Sequence, residues 1–390
     1  MKFNKIKSII WLQPWLLLVF VVGLWWVFSR IIGEERLSYG SIDSSVNIPN
    51  NYQYAFTDST QVIEMGVQPL WMPVAIIIQV MKHDQVLKEM LALRNQEIRY
   101  YPFYNGTDIF TRMGGGMLEG GVAGDMPVLL GINKYQIDVV SPIQEGFTSL
   151  VSSRFKLVSE LKHKRIGYTY GTNAHYALLS NLNSYGLQPD DVELVPMNIY
   201  HMIDALHDNN IDAYSAWEPF PGIAVHKYSD QVSITRTYSI GFMFFTQEFL
   251  RLNRESVMLI VAAEIRAFNW LQASRGNLLK GVEWALDESQ KFYPNGKMQL
   301  TNYQISTIAR KDILTNSDLP SLNDNLLDTT GFIANEFRFL QQYHFIADSV
   351  KWQEFSSHFM QDMVPEIQKN PSRFRLHDFN YNLNTISPTK

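Results

Sequence analysis

The spacing of apolar positions divides the chain into four textures. Residues 8–29 carry no charge and contain the dense run WLLLVFVVGLWWVF at 15–28, and roughly 20 such residues span a bilayer core. Lys2, Lys5 and Lys7 precede the run, so the positive-inside rule keeps the short N-terminus in the cytoplasm and sends the chain outward from about Gly33. A cleaved secretory signal is the alternative, but the run is long for one and no A-x-A-like site follows it. The reading is therefore a single-pass anchor in the cytoplasmic membrane, over residues 1–32, with the main domain outside. Residues 33–58 are rich in Ser, Asn, Asp and Gly without a sustained apolar period, the pattern of a tether.

From Thr60 onward short strand-like and helix-like stretches alternate. Residues 61–66 predict a strand, 73–93 a helix with one apolar face, and 98–104 (IRYYPFY) a second strand closed by the Asn105-Gly106 turn. Helix over 107–118, strand over 121–124, strand over 165–169, helix over 174–185, strand over 192–195, helix over 201–208 and strand over 212–216 follow. Repeated strand–helix–strand units imply an α/β architecture, with parallel strands covered by helices on both faces. After about Asn253 the pattern turns long and helical through SVMLIVAAEIRAFNWLQAS and DTTGFIANEFRFLQQYH. Such helices either pack on the first α/β half or form a C-terminal cap.

Composition narrows the function. With 390 residues, 46% of them hydrophobic, the chain can bury one large or two medium cores. A net charge of −5 and no Lys/Arg cluster with interleaved aromatics exclude nucleic acid as a partner. No cysteine is present, which removes disulfides, thiolate metal sites, cysteine nucleophiles and a lipid attached through an N-terminal cysteine. No GxSxG, HExxH or paired metal-ligand pattern occurs, so neither cofactor nor metal is expected.

Four strand-to-helix junctions are candidate ligand contacts, because open α/β sheets bind ligands beyond the carboxyl ends of their strands. In GVQPLWMP, Gln68 offers amide hydrogen bonds and Trp71 a flat apolar wall; a proline-rich turn with a core tryptophan is the bland reading. The glycine-rich GGVAGDMP lacks the Lys-Ser/Thr of a phosphate loop and reads as a close-approach loop presenting Asp125 and Met126, with a plain helix cap as the alternative. In YGTNAH, the free amides of a helix start at Gly171, Thr172, Asn173 and Ala174 suit an anionic group, though Thr172 and Asn173 can cap the helix themselves and His175 reads first as structural. In IDAYSAWEPF, Trp217 and Glu218 emerge at a strand tip.

In order and content these segments, above all LVSELKHKRIGYTYGTNAHYALLSNLNSYGLQPDDVELV followed by HMIDALHDNNIDAYSAWEPF, resemble the substrate-binding proteins of the ABC importers for taurine, alkanesulfonates and nitrate, which are relatives of the thiamine-pyrimidine precursor binders. The likeness spans roughly residues 60 to 285 and is strongest from 161 to 220. It implies a type II periplasmic-binding fold, with residues 59–142 plus 238–315 as one lobe, 143–237 as the other, two crossing strands between them, and 316–390 as a helical C-terminal extension. It also implies hinge closure over a small anionic or zwitterionic solute, followed by delivery to permease and ATPase subunits. Asn210 stands where the family usually has glycine before the IDA triplet. Asp125 and Glu218 would repel an anion unless they met a cationic group, which an amino-sulfonate zwitterion would supply. An anchored sensor or scaffold on the same fold is the alternative; an enzyme is disfavoured because desulfinase-like relatives use a cysteine absent here.

Overall fold

A computed structural model describes residues 54–293, 300–313, 322 and 324–383. The apolar run at 15–28 and the tether up to residue 53 lie outside them, so the proposed anchor is not described; among the described residues no helix is long and apolar enough to cross a membrane.

Among the described residues eight strands form one mixed sheet: β1 (Val62–Val67), β2 (Glu97–Pro102), β3 (Gly120–Gly124), β4 (Ile137–Ser152), β5 (Arg165–Tyr168), β6 (Glu193–Pro196), β7 (Ala213–Trp217) and β8 (Val232–Thr246), in spatial order β2-β1-β3-β8-β4-β7-β5-β6. β1 is buried at all six positions, as befits a parallel strand covered on both faces. β2 closes one edge and alternates in exposure. β1 pairs in parallel with β2 and β3, and β5 pairs in parallel with β6 and β7. The long strands β4 and β8 run antiparallel through the middle and serve both halves of the sheet. The apolar pattern does not announce these two strands. Their pairing slips between Val139 and Ser141 and between Pro142 and Gln144, where β-bulges bend and twist a strand.

The helices are α1 (Val74–His83), α2 (Gln85–Ala92), α3 (Gly106–Met113), α4 (Asp125–Tyr135), α5 (Asn173–Ser184), α6 (Ile199–His207), α7 (Phe220–Lys227), α8 (Gln247–Ala273) and α9 (Arg275–Phe292), then α10 (Asn302–Ile313), α11 (Asp324–Leu327), α12 (Phe332–Gln342), α13 (Trp352–Ser356) and α14 (Met363–Lys369). The single helix expected over 73–93 is two. Asp84 adopts an extended conformation and its Oδ1 accepts from the Leu87 amide at 3.1 Å, capping α2. The long helical stretch expected after about Asn253 follows a kink at that residue, and α8 as a whole extends back to Gln247. The main core gathers β1, α1, α8 and α9 around side chains such as Ile63, Ile76, Ile260 and Leu271, while a second cluster holds Leu150, Ile166, Leu178 and Leu182. Past α9 the chain folds back on the first half: Phe359 bridges to Val139, and Tyr381 to Asp84.

Candidate functional site

The tips of β1, β3, β5 and β7, predicted to carry the site, converge where the two halves of the sheet meet. β1 runs into Gln68, whose Nε2 donates to the Val122 carbonyl at 3.0 Å, and on to Trp71. The Trp71 ring lies over Gly241 of β8 so closely that a Cβ there would fall 2.6 Å from the ring. β7 ends at Trp217, and the Glu218 carbonyl accepts from the Met72 amide at 3.1 Å, joining the two halves by a backbone hydrogen bond. Trp71 and Trp217 are 5% and 3% exposed; both stand in the main hydrophobic cluster. The Glu218 carboxylate turns toward its own helix and accepts from the Gly222 amide.

On the opposite flank, β3 delivers Asp125 and Met126, both buried. Asp125 Oδ1 accepts from the Met126 amide (2.9 Å) and Oδ2 from the Ile240 amide (3.0 Å), so this residue ties α4 to the shared strand β8. Burial pushes its carboxyl up to about 6, against the lowering effect of those amides. β5 delivers the α5 start. Gly171 takes φ +68, a conformation glycine adopts without a Cβ penalty, and its carbonyl accepts from Thr107 Oγ1 of the other half at 3.3 Å. Asn173 packs on Gly124, where a Cβ would come within 3.1 Å of the Asn173 amide carbon, and its Nδ2 donates to Ser239 Oγ at 2.9 Å.

Of the amides expected to lie free at the α5 start, those of Gly171 and Ala174 are engaged. Asn173 Oδ1 accepts from the Ala174 amide (3.1 Å), His175 Nδ1 from Gly171 (3.3 Å), and the Thr172 carbonyl from His175 and Tyr176. Thr172 Oγ1 donates back to the Thr169 carbonyl at 2.7 Å. Asn173 thus holds the Ala174 amide itself, whereas the Thr172 side chain makes no capping bond. His175 is buried, and burial lowers its imidazole to about 3. It is neutral at physiological pH, and its effect on stability is complete above its unfolded value near 6.5 and is lost as pH falls toward 3. In nitrogen-15 NMR spectra His175 is expected to stay neutral from pH 8 to 5; a titration within that window would contradict its burial.

Several residues beside these strand tips carried no motif. Tyr104 meets Tyr200 of the other half at 5.2 Å and Phe292 of α9 at 4.5 Å. Tyr176 and Ser239 adjoin the Asp125 flank, and Glu336 of α12 acts electrostatically on Tyr176. Beside Thr107 and Gly171 lies a cavity of about 490 Å³, lined by Phe110, Leu130, Lys134, Tyr170 and Phe345. Among the described residues no group of three His, Asp or Glu side chains could hold a metal ion.

Residues 137–274 match the family model described as NMT1/THI5 like. The chain is similar to the alkanesulfonate-binding protein SsuA of Xanthomonas axonopodis bound to MOPS, with a TM-score of 0.61, 16% identity and coverage of 77% of this chain and 99% of that one. The nitrate-binding protein NrtA of Synechocystis superposes with a TM-score of 0.63, at 10% identity over 80% of this chain and 90% of that one. The chain has the periplasmic-binding-protein fold. The resemblance drawn from GVQPLW, GGVAGDMP, YGTNAHY and SAWEP is thereby borne out. A relative from Brucella abortus, whose name says only that it is a binding protein, is 30% identical over 123 residues; the alignment covers 31% of this chain and 38% of the relative's length. The two long shared strands of this periplasmic-binding fold are β4 and β8.

Proposed function

We propose that this chain is an extracytoplasmic solute-binding protein that encloses a small anionic or zwitterionic solute and presents it to the permease and ATPase subunits of an ABC importer. The observation that carries the reading is the junction of Met72 with Glu218: a loop from one half and a loop from the other meet directly beside two tryptophans. The lobes would be 59–142 plus 238–315 and 143–237, with the hinge in β4 and β8, and 316–390 as the extension. The register slips at 139–144 support a hinge at that point. The apolar segment at 15–28 would anchor the protein in the cytoplasmic membrane.

In this reading Gln68, Trp71, Asp125, Met126, Gly171, Thr172, Asn173, Ala174, His175, Trp217 and Glu218 line the enclosed space once the halves part. Asn173 would then release the Ala174 amide to the anionic end of the solute, at the positive end of the α5 dipole. The carboxyls of Asp125 and Glu218 favour a solute with an ammonium group as well, so an amino-sulfonate fits better than a simple anion. A transforming enzyme is disfavoured, because the chain has no cysteine nucleophile.

A thermal-shift screen of the full chain against taurine, methanesulfonate, nitrate and a thiamine-pyrimidine precursor tests this. A ligand at a hundredfold excess over its Kd adds about 2.7 kcal/mol of stability. Taurine is expected to raise Tm most. No rise with any of the four at millimolar concentration would overturn the reading.

A further inference from the structure

Helix α12 lies across the seam between the two halves. Its Phe332 meets Tyr238 of the shared strand β8 edge-on at 4.8 Å and Tyr176 of α5 at 6.4 Å. One turn later Glu336 is buried at 0% exposure, with Asp125 of α4 as the neighbouring charge acting on it. Phe339 then closes on Tyr176 at 5.4 Å. Beyond the helix, Phe345 stands 5.4 Å from His175 and forms one wall of the 490 Å³ cavity between Phe110 and Gly171. The opposite face of α12 is held by Phe337 on Phe355 at 4.6 Å, and Phe359 continues the chain of rings to Phe242 of β8 at 5.7 Å. One short segment therefore touches α4, α5 and β8, covering the flank where Asp125 and Asn173 meet.

The rings hold this segment down, but Glu336 works against them. Neither of its carboxyl oxygens has a hydrogen-bond partner among the described residues, although burying such a group without a partner is costly. The titratable groups facing it are Asp125 from α4 and Tyr176 from α5, with Tyr238 of β8 and, next to Tyr238, Glu145 of β4 further along the seam. None of these carries a positive charge. An apolar side chain of similar size would fasten α12 more firmly.

We propose that residues 331–350 form an internal strap across the Asp125–Asn173 mouth, that parting of the two halves requires its release, and that Glu336 is the latch setting how tightly it holds. Burial, and then Asp125, raise the Glu336 carboxyl well above the ordinary glutamate range. The docked strap therefore favours the protonated acid. Docking is firmest below the free value near 4.5 and weakens as pH climbs from there toward the docked value, by up to about tenfold in the docking equilibrium per pH unit.

Hydrogen–deuterium exchange of the full chain between pH 5 and 8, corrected for the intrinsic pH dependence of exchange, tests the latch. Protection of 332–342 is expected to fall with rising pH in the wild type and to stay level in Glu336→Gln. A level wild-type profile, or the same slope in Glu336→Gln, would overturn the latch. The Phe332→Ala/Phe339→Ala variant tests the strap: the first turns of α4 and α5 should exchange faster while α8 keeps its protection. Unchanged α4 and α5 turns beneath a loosened α12 would overturn it; if α8 also loses protection, the Glu336→Gln comparison decides alone. None of these readouts needs a bound solute, so failure here leaves the solute-binding reading to its own test.

Discussion

Arg266→Ala is expected to lower the unfolding free energy by about 3–5 kcal/mol, the cost of leaving one member of a buried ion pair without its partner. Arg266 sits in the C-terminal third of α8 at 1% exposure and faces Asp84, which is fully buried. Its Nε and Nη2 lie 2.8 and 2.7 Å from Asp84 Oδ2, and its Nη1 donates to the Phe374 carbonyl at 2.7 Å. Asp84 in turn caps α2 and bridges to Tyr381, while the neighbouring Gln85 amide donates to the Asn380 carbonyl. Burial raises the Asp84 carboxyl and Arg266 opposes that rise, so removing the guanidinium strands a carboxyl that has no water to turn to. The same change should free the C-terminal residues near 380 to exchange faster. Replacing both partners, as Arg266→Met with Asp84→Leu, should recover part of the loss, because no charge is then buried alone, although the Leu87 amide and the Phe374 carbonyl lose their partners. Urea titration followed by circular dichroism measures all three variants. A single variant within about 1 kcal/mol of wild type, the range of an exposed pair, would show that this contact does not anchor the tail.

The α/β order was legible because parallel strands announce themselves. VIEMGV and RIGY are short apolar runs bounded by turn residues, and each stands within one residue of its expected place. The ends of helices were less legible: the run at 107–118 stops at Met113 because Gly114, Gly115 and Gly116 follow. The break at Asp84 was invisible for a different reason. An aspartate within an apolar period looks like a solvent-facing position until Arg266, far along the chain, is seen beside it. The long strands β4 and β8 escaped because β4 is buried on both faces through polar residues such as Ser141, Gln144, Thr148 and Ser149, and β8 is partly exposed up to Tyr238 and buried from Ser239 to Phe245, so neither a period of two nor a continuous apolar run persists. Within the site, the four strand-tip motifs gave the convergence but not the state of the α5 amides, since Asn173 could serve as cap or as neighbour to a ligand. Glu336 did leave a trace. In FIANEFRFLQQ it falls three residues after Ile333 and four before Leu340, an acid where the pattern calls for a hydrophobe.

The double variant Trp71→Ala/Trp217→Ala is expected to abolish calorimetric binding of the sulfonate that most raises Tm. The Trp71 ring lies against Gly241 of β8, and Trp217 is buried at the end of β7. Rigid aromatic surfaces of this kind, desolvated and held by their neighbours, contribute about 2 kcal/mol or more each to an interface when truncated, so their joint loss amounts to about a thousandfold in affinity. Both rings also belong to the core, and truncating a buried tryptophan costs about 3–5 kcal/mol of stability; binding must therefore be read only on material that circular dichroism shows to be folded. Gly241→Ala separates the two effects. Its added Cβ would fall 2.6 Å from the Trp71 ring, forcing that ring off β8 while leaving every apolar atom in the protein. It should weaken binding more than it weakens folding. A folded double variant that binds the same sulfonate with wild-type affinity would remove both tryptophans from the site and move the search for the solute to the cavity beside Thr107 and Gly171.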